Sequence, residues 1–339
     1  MFKEALEKIM ARQDLEEEEM YQLMYRLMSG EFTPAQIAGL LVALRMKGET
    51  VGEITGAARA MREKAERLEI DGEIVDTCGT GGDAKGTFNV STATAFVVAG
   101  AGLKVAKHGN RSVSSQCGSA DVLEALGVRI DLPPAEVKEC IERVGIGFLF
   151  APKFHPAMKH AISPRRELGI RTIFNILGPL TNPACATYQL MGVYDSKWLV
   201  PLAEVLKRLG LKAAMVVYGE GGYDEITITG PTKIAEFKDG KIETYEISPE
   251  KCGLKSATAE EIKGGNKEEN AQLIRELLSG KRQDACLDMV LLNAAGVFKI
   301  AGKASSWEEG IELGHEIINT GKALEKLEAL IETTQAWKE

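Results

Sequence analysis

The sequence lacks the features that place a protein in the secretory pathway or in a membrane. Its six cysteines include no C-x-x-C pair, which argues against a zinc site and against a secreted disulfide framework in a chain of 339 residues. No apolar run approaches the ~20 residues that a membrane span needs. The N-terminal stretch is charged throughout, which is untypical of a signal peptide. We therefore predict a cytoplasmic protein with no membrane contact.

A surplus of positive charge is also missing. Lys and Arg number 41 against 49 Asp and Glu, so the formal net charge is -8. Because the phosphates of nucleic acids are held by basic surfaces, this balance argues against a nucleic-acid partner. The apolar share of 45% is that of an ordinary globular protein, and the length is sufficient for two lobes with a cleft between them.

The first seventy residues carry the start and stop signals of short helices. Asp14 and Glu17 have the spacing of a capping box, and Thr50 and Glu53 repeat it. Thr33 precedes a proline, a residue that favours the first position of a helix. These signals predict a small helical-bundle domain over residues 1–70.

Strand-like and helical runs alternate in the rest of the chain, residues 71–339. The run EIVDTC precedes a helical segment, and LKVAKHG precedes a helix that Ser119 is predicted to cap and Gly127 to end. The alternation predicts a mostly parallel central sheet flanked by helices, with a hairpin turning at Asp239-Gly240. The fold class is therefore α/β, with the small helical bundle attached to a larger catalytic α/β domain.

The stretch DTCGTGGDAKGTFNVST, residues 76–92, places four glycines within eight positions between a predicted strand and a predicted helix. Backbone N–H groups in such a loop, together with the helix N-terminus, form a phosphate site. A dinucleotide fingerprint would also need an acidic residue about 20 positions further on, and none is present. A P-loop would need Lys-Ser or Lys-Thr after Gly86. A tight turn that uses glycine only for packing is the remaining alternative.

Basic residues without acidic neighbours follow the glycines. Positions 84–120 contain four Lys or Arg residues and no Asp or Glu. Lys107, at the end of a predicted strand, is the natural point-charge partner for a phosphate. His108 is a candidate only through this neighbourhood, since most histidines have packing or surface roles. The composition predicts a phosphate-rich ligand.

Two further motifs contain charges that a ligand would explain. In ISPRRELG, Ser163 is predicted to cap a helix with Pro164 at its first position, which places Arg165 in the first turn. The helix dipole disfavours a cation there, so we expect a ligand anion or a structural salt bridge opposite. Asp224 and Glu225 follow a strand and a glycine-rich loop. Two such oxygen ligands suit Mg²⁺ on a pyrophosphate, although adjacent acids in loops are usually solvated.

Four segments together resemble the anthranilate phosphoribosyltransferase family: GTGGDAKGTFNVST, KHGNRSVSSQCGSADVLEALG, HPAMKHAISPRRELGIRTIFNILGPLTNPA and GGYDEIT. The resemblance implies transfer of the 5-phosphoribosyl group from phosphoribosyl pyrophosphate (PRPP) to the amine of anthranilate, the second step of tryptophan biosynthesis from chorismate. It also implies two Mg²⁺ ions per subunit and a homodimer formed through the helical domain. A helical segment near residues 160–185 would return to that domain, and the family suggests an association with anthranilate synthase.

The same resemblance implies the residues of the site. The PRPP-binding set is Gly79, Gly82, Asp83, Thr87, Asn89, Val90, Ser91, Thr92, Lys107, His108, Gly109, Asn110, Arg111, Ser112, Val113, Ser114, Ser115 and Ser119. Anthranilate would be held by Gly79, Asn110 and Arg165, and magnesium by Ser91, Asp224 and Glu225. Positioning and electrostatics would then carry the reaction without an obligatory catalytic base, and His108 is the one candidate for such a base.

Two departures from the family pattern and two rival functions complete the prediction. The family commonly has Lys-Ser where this chain has Gln116-Cys117, and an aliphatic residue where it has Tyr223.

A pyrimidine nucleoside phosphorylase shares the fold, but its motifs are not found here and it has no evident use for a pair of acidic metal ligands. A nucleic-acid-binding paralogue would have a basic surface, whereas this chain is acidic.

Overall fold

The N-terminal part of the chain is a helical bundle in the computed structural model, which describes residues 1–112 and 117–337. Its helices are α1 (Phe2–Met10), α2 (Glu17–Met28), α3 (Pro34–Lys47) and α4 (Val51–Lys64). Thr33 and Thr50 cap α3 and α4, as the sequence predicts. The capping box predicted at Asp14 is wrong, because Glu16 and Glu19 form the box of α2 while Asp14 pairs with Lys47.

The α/β region contains one mostly parallel sheet within the described residues, which confirms the predicted fold class. Its strands are β1 (Ile74–Asp76), β2 (Lys104–Gly109), β3 (Ile146–Phe150), β4 (Tyr188–Gly192), β5 (Ala213–Gly219), β6 (Thr232–Lys238) and β7 (Lys241–Ile247). They lie in the order β3-β2-β1-β4-β5-β6-β7. The first five are parallel, and β6 and β7 join antiparallel. The β6–β7 hairpin turns at Asp239 and Gly240, both with positive φ, as predicted.

Helices cover both faces of this sheet. They are α5 (Val90–Gly100), α6 (Ser119–Leu126), α7 (Pro134–Val144), α8 (Ala151–Phe154), α9 (Lys159–Leu168), α10 (Phe174–Leu177), α11 (Leu199–Arg208), α12 (Lys267–Leu278), α13 (Ala285–Ile300), α14 (Trp307–Asn319) and α15 (Lys322–Gln335). Gly118 is the N-cap of α6, so the cap predicted at Ser119 is wrong, whereas Gly127 ends α6 in a left-handed conformation as predicted. Across residues 1–112 and 117–337, none of the helices has the length and apolarity that a bilayer crossing demands.

The two sides of the sheet belong to two apolar clusters. Alternate side chains of β5 point to opposite faces, so Met215 and Val217 lie in one cluster, and Ala214 and Val216 in the other. The first cluster contains α5 and α12–α15. The second runs from α11 into the helical bundle and includes side chains of α9 and α10, which pack against α2, α3 and α4. The bundle is thereby fixed to one face of the sheet.

Candidate active site

The candidate site lies at the carboxyl ends of the parallel strands. The order of the sheet reverses between β1 and β4, and ligands of open α/β sheets bind at such a switch point. Three loops leave the sheet there: residues 79–86 after β1, called the glycine loop, and the loops after β4 and β5. The residues predicted to bind phosphate and metal lie on the first and third of these loops, at the start of α5, and at the end of β2 and in the segment that follows it.

Direct contacts dock the glycine loop onto the other two. Thr80 N–H donates to the Gly192 carbonyl at 2.9 Å, and Gly81 N–H donates to Asp224 Oδ2 at 2.7 Å. A Cβ atom on Gly79 would lie 3.1 Å from the Gly192 carbonyl oxygen and 3.3 Å from Asp224. Gly82 has a φ of +77° and accepts a hydrogen bond from Arg171 through its carbonyl. Gly79 therefore permits a close approach between loops, and Gly82 permits a left-handed backbone. Because the loop is also hydrogen-bonded to Asp224, its glycines do more than shape a tight turn.

Asp224 and Glu225, the acidic pair, lie half-buried beside this loop. Burial and the nearby Asp83 raise the pKa of Asp224 to about 7. Burial and Asp224 raise the pKa of Glu225, against an opposing hydrogen bond from the Ser91 backbone. No Lys, Arg or His of the described ranges forms an ion pair with either carboxylate. The crowded negative charge and the Ser91 oxygen form a donor set that suits a divalent cation.

Lys107 brings the compensating positive charge from β2. Its side chain is almost fully buried, and its Nζ atom bonds to Thr77 Oγ1 at 3.3 Å and to Ser91 Oγ at 3.2 Å. Burial raises the pKa of Asp76 to about 6, and Lys107 opposes that shift. The hydrogen bonds of this buried ammonium among the described residues thus go to hydroxyl groups, and no carboxylate there forms an ion pair with it.

His108 lies next to a second buried histidine that the sequence analysis does not single out. The ring centroids of His108 and His155 are 5.1 Å apart. Burial lowers the pKa of His108 to about 3 and that of His155 to about 4, so both rings are neutral at pH 7. The aromatic contact joins the end of β2 to the segment after α8. A pKa near 3 makes His108 a weak proton acceptor.

Several of the predicted phosphate contacts are already engaged within the chain. The Arg111 guanidinium forms ion pairs with Asp121 and Glu124 of α6 at 2.9 and 2.6 Å. Ser119 Oγ donates to the Asn110 carbonyl at 3.3 Å, and Gly109 approaches that hydroxyl so closely that a Cβ would lie 2.2 Å from it. Ser112 N–H donates to Asp121 at 3.1 Å. The predicted contacts at Val113, Ser114 and Ser115, and the departure at Gln116, lie outside the described residues.

The start of α5 divides the other predicted residues between surface and interior. Ser91 and Asn89 are half-buried at its first turn, whereas Val90 and Thr92 are buried. Thr92 lines a small apolar cavity of about 10 Å³ next to Lys107. Thr87 pairs through its backbone with Lys263. The accessible part of this turn is thus the side of Ser91 that faces the acidic pair.

The prediction for Arg165 is wrong in its local structure. The helix begins at Lys159, so Ser163 does not cap it, Pro164 lies inside it, and Arg165 is in its last turn. A cation in the last turn interacts favourably with the helix dipole, so the dipole argument for an opposing anion does not apply. The guanidinium lies 4.9 Å from the ring centroid of Phe174, and burial lowers its pKa. No acidic side chain of the described ranges forms an ion pair with Arg165.

Besides His155, three residues around the site escaped the sequence analysis. Arg171 holds the Gly82 carbonyl and lies 4.0 Å from the ring centroid of Tyr194. Asn182 donates to Asp76 at 2.7 Å and to the Ala106 carbonyl at 2.8 Å, which anchors the GPLTNP turn beneath the site. Asn270 contacts the start of α5 from α12. All three act over long sequence separations, which local spacing does not reveal.

Comparison with known proteins matches almost the whole chain. The helical bundle domain of a glycosyl transferase family matches residues 3–65, and the α/β domain of a glycosyl transferase family matches residues 71–324. The anthranilate phosphoribosyltransferase of Petrotoga mobilis is 55% identical over 98% of this chain and 97% of its own length. That of Thioalkalivibrio sulfidiphilus is 54% identical, with 98% of both chains covered. The chain belongs to the anthranilate phosphoribosyltransferase family.

Solved structures of anthranilate phosphoribosyltransferases share the fold. The Thermus thermophilus protein superposes with a TM-score of 0.93 at 48% identity, covering 98% of this chain and 99% of its own. The Saccharomyces cerevisiae protein in complex with PRPP and Mg has a TM-score of 0.91 at 27% identity, covering 99% and 98%. Its complex with 4-fluoroanthranilate gives 0.90 at 27% identity, with the same coverage. The predicted family and fold are confirmed.

Proposed function

We propose that this protein transfers the 5-phosphoribosyl group of PRPP to the amine of anthranilate, forming N-(5-phosphoribosyl)anthranilate and pyrophosphate in tryptophan biosynthesis. The observation that carries the proposal is the docking of the glycine loop on the acidic pair, at 2.7 Å between Gly81 N and Asp224 Oδ2. Backbone donors and carboxylate oxygens meet there, as a magnesium pyrophosphate group requires. The names of the relatives and the yeast complexes with PRPP, Mg and 4-fluoroanthranilate support the same reaction.

PRPP would lie along the carboxyl edge of the sheet, between the glycine loop and Lys107. The loop supplies backbone N–H groups, and Lys107 supplies a buried charge whose hydrogen bonds among the described residues go to the hydroxyls of Thr77 and Ser91. Asp83, half-buried beside Asp224, is placed to accept hydrogen bonds from ribose hydroxyls or water. The other members of the predicted set would complete the contacts, with Arg111 acting through the position of its backbone because its side chain is bound to α6.

Mg²⁺ would be held by Ser91, Asp224 and Glu225, and we propose that two ions share these residues. Among the described residues no group of three or more His, Cys, Asp or Glu side chains forms a metal site alone, so ligand and water oxygens would complete the coordination. When bound, Mg²⁺ supplies positive charge that stabilises the leaving pyrophosphate. The raised pKa of both carboxylates fits this role, because a cation favours their charged form.

The reaction requires orientation more than proton transfer. An aromatic amine is already a usable nucleophile, so the residues of the site would hold it in line with C1′ of the ribose. Glycosyl transfer develops positive charge on the ribose ring, and carboxylates such as that of Asp83 would stabilise this charge. His108 is not required as a base, because its lowered pKa of about 3 leaves it little affinity for the proton of the amine.

Anthranilate would be bound by its carboxylate on Arg165, with Asn110 and the backbone of Gly79 near the amine. Arg165 has no acidic partner within the described ranges, and its guanidinium is fixed against the ring of Phe174. A partly buried, unpaired guanidinium gains much from a carboxylate, since charge-assisted hydrogen bonds are the strong ones.

Anthranilate fluorescence tests the proposed reaction. We expect fluorescence to decay only when PRPP and Mg²⁺ are both present, and to stop decaying in excess chelator. A folded protein that leaves anthranilate unchanged under these conditions contradicts the proposal. Thymidine or uridine with inorganic phosphate would then test for a nucleoside phosphorylase.

A homodimer through the helical bundle is proposed from the exposed face of α3. Ala35, Gly39, Val42 and Met46 recur at helical spacing on that face, and Met46 is 72% exposed. A Cβ on Gly39 would meet nothing within 4 Å, so packing inside this chain does not demand glycine there. Glycine at such a position permits close approach of a helix from a second subunit. α1 and α9 flank α3 and would extend the interface.

Molar mass in solution tests the dimer. Light scattering after gel filtration should give twice the subunit mass for the wild type and a reduced mass for Gly39→Arg. The matched control is Gln272→Arg on the exposed face of α12, which should leave the mass unchanged. A wild-type mass of one subunit contradicts the homodimer.

The remaining proposals concern organisation and location. We assign dimer formation to residues 1–70 and the segment near 160–185, and catalysis to residues 71–339. We also propose a cytoplasmic location, where thiols such as those of Cys140, Cys252 and Cys286 stay reduced. Association with anthranilate synthase is tested by co-sedimentation of the two purified proteins.

A further inference from the structure

The N-terminal turn of α12 lies across the two segments that would bind PRPP. α12 packs against α5, which follows the glycine loop, and against α6, which follows the segment beginning at Lys107. Asn270, in the first turn of α12, is only 2% exposed, although an amide is expensive to bury. Its side chain therefore requires partners, and these partners connect the two segments.

The hydrogen bonds of Asn270 form a continuous chain. Its Nδ2 donates to Asn89 Oδ1 at 3.1 Å, and Asn89 Nδ2 donates to the Cys117 carbonyl at 3.1 Å. Its Oδ1 accepts from Gly265 N–H at 2.8 Å. The Asn270 side chain also hydrogen-bonds to the Cys117 thiol. One buried amide thus fixes the end of the glycine stretch, at Asn89, and the residue before the N-cap of α6, at Cys117.

The backbone before α12 adds a second set of contacts to the same place. Gly264 N–H donates to the Gly86 carbonyl at 2.8 Å, and Phe88 N–H donates to the Ile262 carbonyl at 3.4 Å. A Cβ on Gly264 would lie 2.8 Å from Phe88 Cα and 2.9 Å from Asn270 Oδ1. Only glycine permits this approach, so the arrangement of the two segments depends on residues far from both in sequence.

We propose that Asn270 is a positioning residue for PRPP binding, which holds Asn89 and Cys117 so that both segments meet the ligand in one preformed arrangement. The inference rests on the proposed PRPP site and goes beyond its contact residues, since Asn270 acts through Asn89 and Cys117. Preformed binding segments lower the ordering cost of association. A half-satisfied buried network would instead leave several arrangements of similar energy.

Steady-state kinetics of Asn270→Ala and Asn270→Asp test the proposal. Asp has the shape of Asn but cannot donate to Asn89, so both variants should raise KM for PRPP by about tenfold, with kcat changed by less than about twofold and KM for anthranilate unchanged. The matched control is Asn266→Ala, which removes the N-cap of the same helix but no contact to either segment. It should lower thermal stability while leaving KM for PRPP as in the wild type. An Asn270→Ala variant with the same KM for PRPP as Asn266→Ala overturns the proposal.

The reactivity of Cys117 gives a readout that does not depend on turnover. Alkylation by iodoacetamide, followed for each cysteine peptide by mass spectrometry, should be several-fold faster at Cys117 in Asn270→Asp than in the wild type. Cys140, buried on α7, should react equally slowly in both. An unchanged rate at Cys117 shows that Asn270 does not order this segment and overturns the proposal. An inactive wild type refutes the proposed function instead, and the Cys117 rate still decides the positioning role.

Discussion

Two glutamates in this molecule have opposite surroundings. In the helical bundle, Glu53 is fully buried and accepts from Lys47 Nζ at 2.9 Å, from Thr50 N–H at 2.9 Å and from Leu15 N–H at 3.0 Å. At the sheet edge, Glu225 has Asp224 as its nearest influence besides burial, and its pKa is raised. The first carboxylate forms a direct ion pair with Lys47, whereas no cation of the described residues forms an ion pair with the second, and Lys107 only partly offsets its raised pKa. Missing partners therefore distinguish a functional carboxylate from a structural one.

The largest expected effect on activity comes from neutralising Glu225, which forms no ion pair within the described residues. Glu225→Gln keeps the shape of the side chain but removes the charge of a proposed metal ligand, so activity should fall on the order of 1000-fold in the anthranilate fluorescence assay. The urea midpoint should not fall, because the substitution also removes repulsion from Asp224. Glu220→Gln, an exposed acid in the same loop, is the control and should retain activity. Full activity in Glu225→Gln would remove this residue from the metal site.

The reverse experiment breaks the satisfied pair in the bundle. Lys47→Met leaves Glu53 charged and buried without its cation, which should cost about 3 kcal/mol of the free energy of unfolding. Activity of the folded fraction should persist, because neither residue is near the sheet edge. The control Lys3→Met removes an exposed pair with Glu7 and should cost less than about 1 kcal/mol. Equal urea midpoints for the two variants would show that burial of the pair is not important.

A methyl group tests how closely the loops of the site must approach each other. A Cβ on Gly192 would lie 1.5 Å from the Asp224 carbonyl oxygen, so Gly192→Ala must displace the acidic pair from the glycine loop. We expect kcat/KM for PRPP to fall on the order of 100-fold. Gly52→Ala in the bundle is the control, since its Cβ would meet only atoms at 3.8–4.0 Å. A fully active Gly192→Ala variant would mean that the site tolerates separated loops.

Local sequence signals predict much of this arrangement, and their failures have a common cause. The caps at Thr33 and Thr50, the turn at Asp239 and the glycine loop depend on neighbouring residues, and the structure contains each of them. The predicted start of α9 is wrong because Ser-Pro imitates a helix start, whereas Ala161 is buried in the bundle and extends the helix back to Lys159. Packing decides that boundary, and spacing does not reveal it.

In the candidate site too, some residues can be predicted from local sequence and others cannot. Its anionic and cationic residues are recognisable from short motifs, because each motif lies at the end of one strand. His155, Asn182 and Asn270 are not, since their contacts bridge distant parts of the chain, and nothing in the local sequence singles them out. The sequence therefore predicts the groups that would touch the ligand better than the groups that hold them in place.

A further expected effect is the pH dependence of folding that Asp224 causes in the absence of metal. Burial and Asp83 raise its pKa to about 7 in the native protein, against about 4 in an unfolded chain. Between these values the native state retains a proton that the unfolded chain has released. Its contribution to the free energy of unfolding therefore decreases as the pH rises from about 4 and is lost above about 7.

Asp224→Asn isolates this contribution, because Asn does not ionise. In EDTA, the urea midpoint of the wild type relative to Asp224→Asn should fall between about pH 4 and pH 7. Mg²⁺ with pyrophosphate should remove that fall in the wild type, since a bound cation stabilises the charged carboxylate in the native state. Glu53 provides the comparison within the molecule, because Glu53→Gln should leave the response to Mg²⁺ and pyrophosphate unchanged. If the wild-type midpoint falls with pH equally in the presence and absence of Mg²⁺ and pyrophosphate, Asp224 does not bind the cation. The burial of its carboxylate would then not be explained by a metal ion.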